Sequence, residues 1–462
     1  MQPPSTEKIN GNLARTGFVL GPLLALCVYL LLPDSYVDAQ GQTTELTQSA
    51  RAVAAIATWM AIWWMSDCVS IYATALLPLV AFPLAGIASM RETAASYGQE
   101  IIFLFLGGFI LALGLEKWQL HRRVALLVLA TVKPKPGMIV AGFMLVSATL
   151  SMWVTNTATT IMLLPVALSV ISMLPDEEDE TAGNNLVICL LLGTAYAASI
   201  GGTGTIIGTT PNVFVVSFVQ EQLGREISFV EWMTFAVPFV IVLVPLAWWV
   251  LTRWVYPLPT HDIPGAGEVI AETRAGLKPL GRAEKLMIWV FCFTALAWIT
   301  RPLLGQIDVF GVRPFAGLTD AGIAMLAAFA LFVIPVNFAR GEFLMDWRTA
   351  VKVPWGILLL LGGGLALAAA LTNTGFSLYL GSLSAGFVGW PALLITMAVV
   401  AIVVFLTELT SNVATTATFV PVLLAVASGL DMPPLLLIIP AALAASCAFM
   451  LPVATPPNAI VF

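Results

Sequence analysis

The chain has 462 residues, of which 59% are hydrophobic and only 10% are charged, and its net charge is −6 at pH 7. Soluble domains carry about 25% charged residues, so this composition excludes a soluble globular protein. The lack of a basic cluster also excludes a nucleic-acid-binding protein. The five cysteines lie in apolar stretches without C-x-x-C spacing, which predicts packing residues, not disulfides or metal ligands. We therefore expect an all-α polytopic membrane protein.

The first apolar segment, residues 17–32, is predicted to be a membrane helix. A signal peptide is not indicated, because Pro33 and Asp34 follow the segment and no small-residue cleavage site is clear. Further apolar runs long enough to span a membrane, or nearly so, follow along the whole chain. They occupy residues 51–88, 137–174, 185–219, 233–255, 284–304, 320–338, 391–428 and 433–462.

Two other apolar runs are interrupted by glycines near their centres. The glycine pair at 107–108 lies within residues 100–115, and the triplet at 362–364 lies within residues 355–371. Such a segment can fold back as a re-entrant hairpin where protein surrounds it. The alternative is a plain membrane helix that packs through small residues. Repetition at an offset of 256 residues favours hairpins, expected at about 98–118 and 355–375.

Two polar motifs also occur twice within the apolar segments. Residues 155–160 read T-N-T-A-T-T and residues 411–416 read S-N-V-A-T-T, again 256 residues apart. Residues 208–212 read G-T-T-P-N, and residues 454–458 read A-T-P-P-N at an offset of 246. Such residues break helices and leave polar groups in lipid. Their repetition therefore predicts a transporter in which broken helices of two repeats meet at a central site.

The chain is predicted to contain two inverted repeats and an additional N-terminal helix. Five basic residues lie between 117 and 135, whereas residues 376–390 contain no charge. Under the positive-inside rule, these equivalent stretches face opposite sides of the membrane, an arrangement that supports alternating access. The expected divisions are residues 1–50 (N-terminal helix and external loop), 51–251 (first repeat, motif helices 137–219), 252–285 (polar linker) and 286–462 (rest of the second repeat, motif helices 391–462).

The asparagine motifs have the composition of a site for ions. Asn, Ser and Thr are good helix caps, so each motif can end one half-helix and begin another. Free carbonyl oxygens then suit Na+, and free N–H groups at a positive helix end suit an anion. The motifs contain no Lys, Arg or His, and desolvating a dianion there is costly unless cations bind with it. The alternative is that these residues only cap and pack helices.

These residues resemble the signatures of the divalent anion/sodium symporters, a family of di- and tricarboxylate carriers. The resemblance rests on residues 151–157, 201–204 running into 210–212, 411–412 and 451–458, and it covers essentially the whole chain. It implies an elevator mechanism with a scaffold domain and a transport domain. It also implies a homodimer and Na+ as the coupling ion.

The resemblance further implies the residues of the site. The first sodium ion would meet Ser151, Thr155, Asn156 and Gly204, and the second would meet Thr407, Thr410, Asn412 and Ala454. The substrate carboxylates would meet Thr155, Asn156, Thr157, Ser411, Asn412, Val413, Thr455 and Pro456. Two residues depart from the family pattern. Thr155 stands where Ser is usual, and Val413 stands where Thr is frequent, which removes one hydroxyl from the substrate cradle.

The predicted function is import of succinate, malate, fumarate or citrate with Na+, across a bacterial inner membrane and with a cytoplasmic N-terminus. The alternative is Na+-independent exchange of dicarboxylates by the same fold. An enzyme is not indicated, because His121 and His261 are the only histidines and are expected in loops, and no H-E-x-x-H or G-x-S-x-G pattern occurs. The sequence ends four residues after Asn458, so the last helix is expected to be cut short.

Overall fold

The computed structural model describes residues 12–37, 42–129, 131–133, 135–172, 180–259, 279–308 and 312–462. In this part of the chain the protein is helical, apart from two short antiparallel pairs of strands. These are β1 (Ser35–Val37) with β2 (Thr43–Glu45), and β3 (Pro335–Asn337) with β4 (Glu342–Phe343). The α-helices are α1 (Asn12–Leu31), α2 (Gln48–Ser66), α3 (Ile71–Thr74), α4 (Leu77–Leu84), α5 (Met90–Ala95), α6 (Glu100–Lys117), α7 (Leu120–Leu129), α8 (Pro136–Ser151), α9 (Asn156–Ile171), α10 (Glu180–Gly202), α11 (Thr210–Leu223), α12 (Phe229–Trp249), α13 (Arg282–Leu304), α14 (Asp320–Val333), α15 (Trp347–Ala350), α16 (Trp355–Asn373), α17 (Phe376–Leu383), α18 (Ala392–Thr407), α19 (Asn412–Gly429), α20 (Leu435–Ala445) and α21 (Pro456–Val461).

Seven helices of the described part are long and apolar enough to cross a membrane. They are Ala14–Leu31, Met90–Lys117, Gly183–Gly202, Phe229–Val255, Arg282–Leu304, Trp355–Asn373 and Asn412–Gly429. Six shorter apolar helices of 10–17 residues accompany them, and these include α8, α9 and α18. The predicted all-α polytopic membrane fold is thus confirmed, and the predicted first membrane helix corresponds to α1.

The chain forms two compact units, each assembled from separate stretches of sequence. The first unit comprises Met1–Ile102, Phe214–Glu226 and Trp355–Ala448, and it contains the second asparagine motif. The second unit comprises Phe103–Val213, Ile227–Pro354 and Phe449–Phe462, and it contains the first asparagine motif and both Pro-Asn motifs. Both units combine stretches from the two predicted repeats, so the division by sequence repeat stays a prediction.

The glycine-rich segments do not fold back on themselves. α6 and α16 are each one continuous helix, so the hairpins expected at 98–118 and 355–375 are wrong, and the alternative of a helix packed through glycine is correct. A Cβ at Gly107 would overlap the backbone carbonyl of Ala324 within the second unit, and one at Gly363 would overlap that of Ala75 within the first. Glycine is required at both places because two backbones approach closely there.

The chain reverses direction at the first asparagine motif instead. α8 runs beside α10 in the same direction, because Val140 faces Gly193 and Ala148 faces Gly201. α9 begins where Asn156 faces Gly202 at the end of α10, packs along α10, and ends shortly before α10 begins. α8 and α9 therefore form an antiparallel hairpin. Each has 16 residues, or about 24 Å, which is shorter than a hydrocarbon core of about 30 Å.

The second asparagine motif occupies the tip of an equivalent hairpin in the first unit. Thr396 and Thr407 of α18 hydrogen-bond Leu436 and Ala445 of α20, so these two helices run in the same direction. α19 packs against α20 and is joined to it by residues 430–434. α18 and α19 therefore lie antiparallel, with their tip at residues 408–411. The predicted broken helices are present, and the breaks coincide with the repeated motifs.

The segment predicted as a polar linker is partly helical. Residues 252–255 of the predicted linker continue α12 as a turn of π-helix, Val250–Val255, and α13 begins at Arg282. Most of the linker, together with His261, lies outside the described residues.

The expectation of a loop at His121 is wrong, because this residue lies in the first turn of α7. Gln119 has a left-handed backbone with φ of 52° and separates α6 from α7.

Candidate ion and substrate site

Thr155 starts the second helix of the first hairpin. It is the N-cap of α9, and its hydroxyl oxygen accepts a hydrogen bond from the backbone N–H of Ala158 at 3.3 Å. This contact satisfies one of the N–H groups that the first turn of a helix leaves without a partner. The helix dipole places positive potential at the same end. The tip of the hairpin can therefore attract an anion without a basic side chain.

Ser151 and Asn156 connect the two helices of this hairpin. The buried Ser151 Oγ donates a hydrogen bond to Asn156 Oδ1 at 2.5 Å. The amide of Asn156 lies against Gly202 at the end of α10, where a Cβ would overlap Oδ1. Gly202 therefore leaves the space in which the Asn156 side chain is held, and two neutral oxygens meet at the tip.

Thr407 and Asn412 form the equivalent pair in the second hairpin. Thr407 Oγ1 lies 2.8 Å from Asn412 Oδ1 and 2.8 Å from the carbonyl oxygen of Ala445. A threonine hydroxyl has only one hydrogen to donate, so it cannot donate fully to both oxygens at once. Three oxygens thus converge around one hydrogen. A hard cation with oxygen ligands would stabilise this arrangement.

The remaining residues of the second tip offer further hydroxyl groups. Thr410 Oγ1 donates to the carbonyl of Leu406 at 2.9 Å and lies 2.6 Å from Thr415 Oγ1. Ser411 is the N-cap of α19 but makes no side-chain cap hydrogen bond. Val413 is half-buried in the first turn of α19. Because Ser411 does not cap, more N–H groups stay open at the start of α19 than at the start of α9.

The two Pro-Asn motifs stabilise breaks in the helices that precede them. Asn212 Nδ2 lies within hydrogen-bond distance of the carbonyl oxygens of Gly202, Thr203 and Thr205, at 3.1, 3.2 and 2.8 Å. Asn458 Nδ2 donates to the carbonyl of Leu451 at 3.2 Å, and Leu451 is the counterpart of Thr205 at the 246-residue offset. The two motifs therefore use the same contact, as the repeat in sequence predicts.

Some buried oxygens near the first break have no hydrogen-bond partner in the described part of the chain. They are Thr159 Oγ1 on α9, Ser199 Oγ on α10, and Asn212 Oδ1. Gly204 lies in this break, also buried, and a Cβ there would overlap Met152. Unpaired buried oxygens are costly, so a water molecule or a cation would stabilise this region.

The predicted site residues fall into two groups. The first sodium set, Ser151, Thr155, Asn156 and Gly204, lies within the second unit, as do Thr157, Ala454, Thr455 and Pro456. Within that unit α21 packs against α9 and α10, and Thr455 Oγ1 accepts a hydrogen bond from Asn458 N at 3.3 Å. The other group, Thr407, Thr410, Ser411, Asn412 and Val413, lies within the first unit.

The structure also places charged residues beside the first motif, which the motif analysis missed. A cavity of about 650 Å³ lies within the second unit. It is lined by Glu116, Gln119, His121, Arg122, Leu126, Val154, Thr155, Thr157, Ala158, Ile161, Met162, Pro165, Val166, Ser169 and Val170. In the sequence, Arg122 belongs to the basic stretch that indicated topology. No local pattern relates it to Thr155, because the two are joined only through the fold.

Comparisons with known proteins identify the family of the chain. Residues 19–462 match the family described as the sodium:sulfate symporter transmembrane region. The chain is similar to the sodium-dependent dicarboxylate transporter SdcS of Staphylococcus saprophyticus, with 39% identity over 451 residues, 96% of this chain and 84% of the relative. It is also similar to SdcS of Staphylococcus aureus, with 38% identity over 452 residues, 96% of this chain and 84% of the relative.

A solved structure has a similar fold. It is the YdaH transporter of Alcanivorax borkumensis, with a TM-score of 0.57 over 97% of this chain and 89% of that one. Sequence identity is 13%, so this similarity concerns the fold alone.

Proposed function

The chain belongs to the sodium:sulfate symporter family, and from this premise we propose that it imports C4-dicarboxylates such as succinate, malate and fumarate together with Na+. The similarity to sodium-dependent dicarboxylate transporters over 96% of the chain supports the substrate class and the ion. Citrate and sulfate are the competing anions to be tested.

One observation supports the ion sites most directly. In each hairpin a hydroxyl five residues before the asparagine lies against the amide oxygen, at 2.5 Å for Ser151 and 2.8 Å for Thr407. Each pair consists of neutral oxygens at a helix break, which is the ligand type found for Na+ in transporters. The proposed sodium ligands are Ser151, Thr155, Asn156 and Gly204 for one ion, and Thr407, Thr410, Asn412 and Ala454 for the other.

For the substrate, the family resemblance supports contacts at both hairpin tips. The first turns of α9 and α19 offer N–H groups and hydroxyls from Thr155, Thr157 and Ser411. The N-terminal end of a helix attracts an anion through its dipole, but it carries only about half a unit of positive charge. Two sodium ions would neutralise a dicarboxylate locally, and this would make anion binding dependent on Na+. Asn156, Asn412, Val413, Thr455 and Pro456 complete the proposed cradle.

The remaining features of the proposal are a homodimer, an elevator movement and a bacterial inner membrane. The family resemblance supports the first two, and the bacterial origin of the relatives supports the third. A cytoplasmic N-terminus is supported by charge, since Arg15 precedes the apolar part of α1 and residues 16–50 contain no Lys or Arg.

The proposal is tested by counterflow of radiolabelled succinate in liposomes containing the full-length protein. We expect accumulation with Na+ and none with choline, and competition by malate and fumarate that exceeds competition by citrate and sulfate. Equal counterflow in choline would contradict Na+ coupling and identify a dicarboxylate exchanger instead.

A further inference from the structure

The cavity beside the first hairpin is lined by chemically different groups. Part of its lining is formed by the polar residues Glu116, Gln119 and Arg122, which are all exposed at the corner between α6 and α7. At another part are Thr155 and Thr157 of the asparagine motif. Its volume of about 650 Å³ lies within the usual range of small-molecule sites, about 300–1,000 Å³.

The corner between α6 and α7 has a defined geometry. The left-handed backbone of Gln119 turns the chain, so that Glu116, Gln119 and Arg122 belong to one short turn. His121 Nδ1 lies 3.1 Å from the carbonyl oxygen of Leu115, and burial lowers the pKa of this imidazole. Burial therefore disfavours the protonated form of His121. Arg122 is the one arginine or lysine among the described residues that line the cavity.

One side of the cavity is formed by α9. The residues from Thr157 to Val170 line the cavity at intervals along this helix, over a length of about 20 Å at 1.5 Å per residue. The cavity is thus longer than a C4-dicarboxylate. The cavity therefore has room for an anion beyond the hydroxyls of Thr155 and Thr157, and Arg122 lines the same cavity.

We propose that this cavity is an outlying binding position for the dicarboxylate, in which Arg122 binds one carboxylate before or after the anion occupies the asparagine motif. The inference rests on the proposed dicarboxylate transport and adds a position that does not require Na+. A guanidinium suits this role because its planar fork donates two parallel hydrogen bonds to a carboxylate. Glu116 opposes the attraction, so the anion is held weakly and can move on.

A phosphate group of an anionic lipid could bind Arg122 by the same chemistry. The two sources are separated by using nanodiscs of phosphatidylcholine alone, which contain no anionic lipid. Both faces of the protein are accessible in a nanodisc, so the result does not depend on the side to which the cavity opens.

The test uses a cysteine in the cavity wall of the full-length protein. Ser169 lines the cavity and is exposed, so Ser169→Cys is introduced after the exposed Cys27 and Cys292 have been changed to Ser. The rate of modification by a thiol reagent is measured in choline buffer with increasing succinate. Without Na+ the asparagine motifs stay unoccupied, and protection therefore reports the cavity alone.

We expect succinate to protect the introduced thiol in this background, and monomethyl succinate to protect it less. Arg122→Gln should raise the half-protecting concentration by about 5-fold or more, as the loss of one close charge pair predicts, whereas Arg122→Lys should raise it less. Glu116→Gln should lower it. Arg348→Gln, at an exposed arginine of α15 outside the cavity, serves as the matched control and should leave it unchanged.

Two results would overturn the inference. One is no protection by succinate in choline buffer, and the other is protection that Arg122→Gln leaves intact. Failure of the proposed dicarboxylate transport would be recognised in a different experiment, because Na+-dependent succinate counterflow would then be absent in the wild-type protein.

Discussion

Ser151 Oγ and Asn156 Oδ1 lie 2.5 Å apart across the tip of the first hairpin, and the same pairing recurs 256 residues later between Thr407 and Asn412. The hydroxyl belongs to the end of one helix and the amide to the start of the next. Each pair therefore ties the two helices of a hairpin together at its break. Each pair brings a hydroxyl oxygen and an amide oxygen together at the break.

Removal of either hydroxyl should weaken Na+ binding. A hydrogen bond or contact to a charged group contributes about 1.5–3 kcal/mol, so Ser151→Ala and Thr407→Val should each raise the Na+ concentration for half-maximal uptake by about 10- to 150-fold. The control is Ser147→Ala, because Ser147 is buried on the same helix and donates to the carbonyl of Thr194 at 2.7 Å. An equal effect of the control and the two test variants would show that these hydroxyls do not belong to the ion sites.

A larger residue at position 202 should displace the side-chain amide of Asn156. A Cβ at position 202 would overlap the amide oxygen of Asn156, so Gly202→Ala should reduce Na+-dependent uptake by at least 10-fold at subsaturating Na+. Gly183→Ala lies on the same helix with no atom within 4 Å of the added methyl group, and should leave uptake unchanged. Normal Na+ dependence in a folded Gly202→Ala protein would show that the amide position is not required.

The sequence predicted much of this arrangement, and the reason is visible in particular residues. The family, the helical membrane fold with broken helices, and a transporter in place of an enzyme are confirmed. Asparagine and threonine cap helices well, and their repetition within apolar segments located the helix breaks at Asn156 and Asn412, although the hairpins themselves were predicted at the glycines. Glycine is ambiguous in a sequence, because it can either permit a chain reversal or let two backbones approach closely. Gly107 and Gly363 do the latter, since they lie against the backbones of Ala324 and Ala75.

Other features could not be predicted because they depend on distant parts of the chain. The carbonyl of Ala445 meets Thr407 only because α20 packs beside α18, and nothing in an alanine marks such a role. Arg122 lines a cavity with Thr155 because α7 folds back beside α9. The residues proposed for Na+ and substrate remain predictions that the variants described here test.

Val413 is expected to affect the choice of anion. Its repeat counterpart Thr157 has a side chain of nearly the same volume that carries a hydroxyl. Val413→Thr therefore adds a hydrogen-bonding group without changing the shape of the side chain. A neutral hydrogen bond contributes about 0.5–1.5 kcal/mol, and the ratio of citrate to succinate affinity should therefore change by about 2- to 12-fold. Competition assays with both anions measure this ratio. An unchanged ratio together with a lower melting temperature would assign Val413 to packing.

Acid should weaken the link between α6 and α15. Lys117 Nζ donates to Asp346 at 2.7 Å, and mainly because of this hydrogen bond the pKa of Asp346 is lowered from 3.8 to about 2. The contribution to stability is therefore fully present above about pH 4 and is lost as the pH falls towards 2. Asp346→Asn, which can still cap α15, should melt below the wild type at pH 7. This difference should narrow in acid, and a difference independent of pH would contradict the assignment.

The dependence of succinate affinity on Na+ tests the central claim most directly. The measurement is the KM for succinate uptake into proteoliposomes across a range of Na+ concentrations at constant ionic strength, for the wild type and for Asn156→Ala and Asn412→Ala. Because the hairpin tips contain no basic side chain, we expect the wild-type KM to fall steeply as Na+ rises, and both variants to lose Na+-dependent uptake. A KM that is independent of Na+, or wild-type uptake by both variants, would contradict the account.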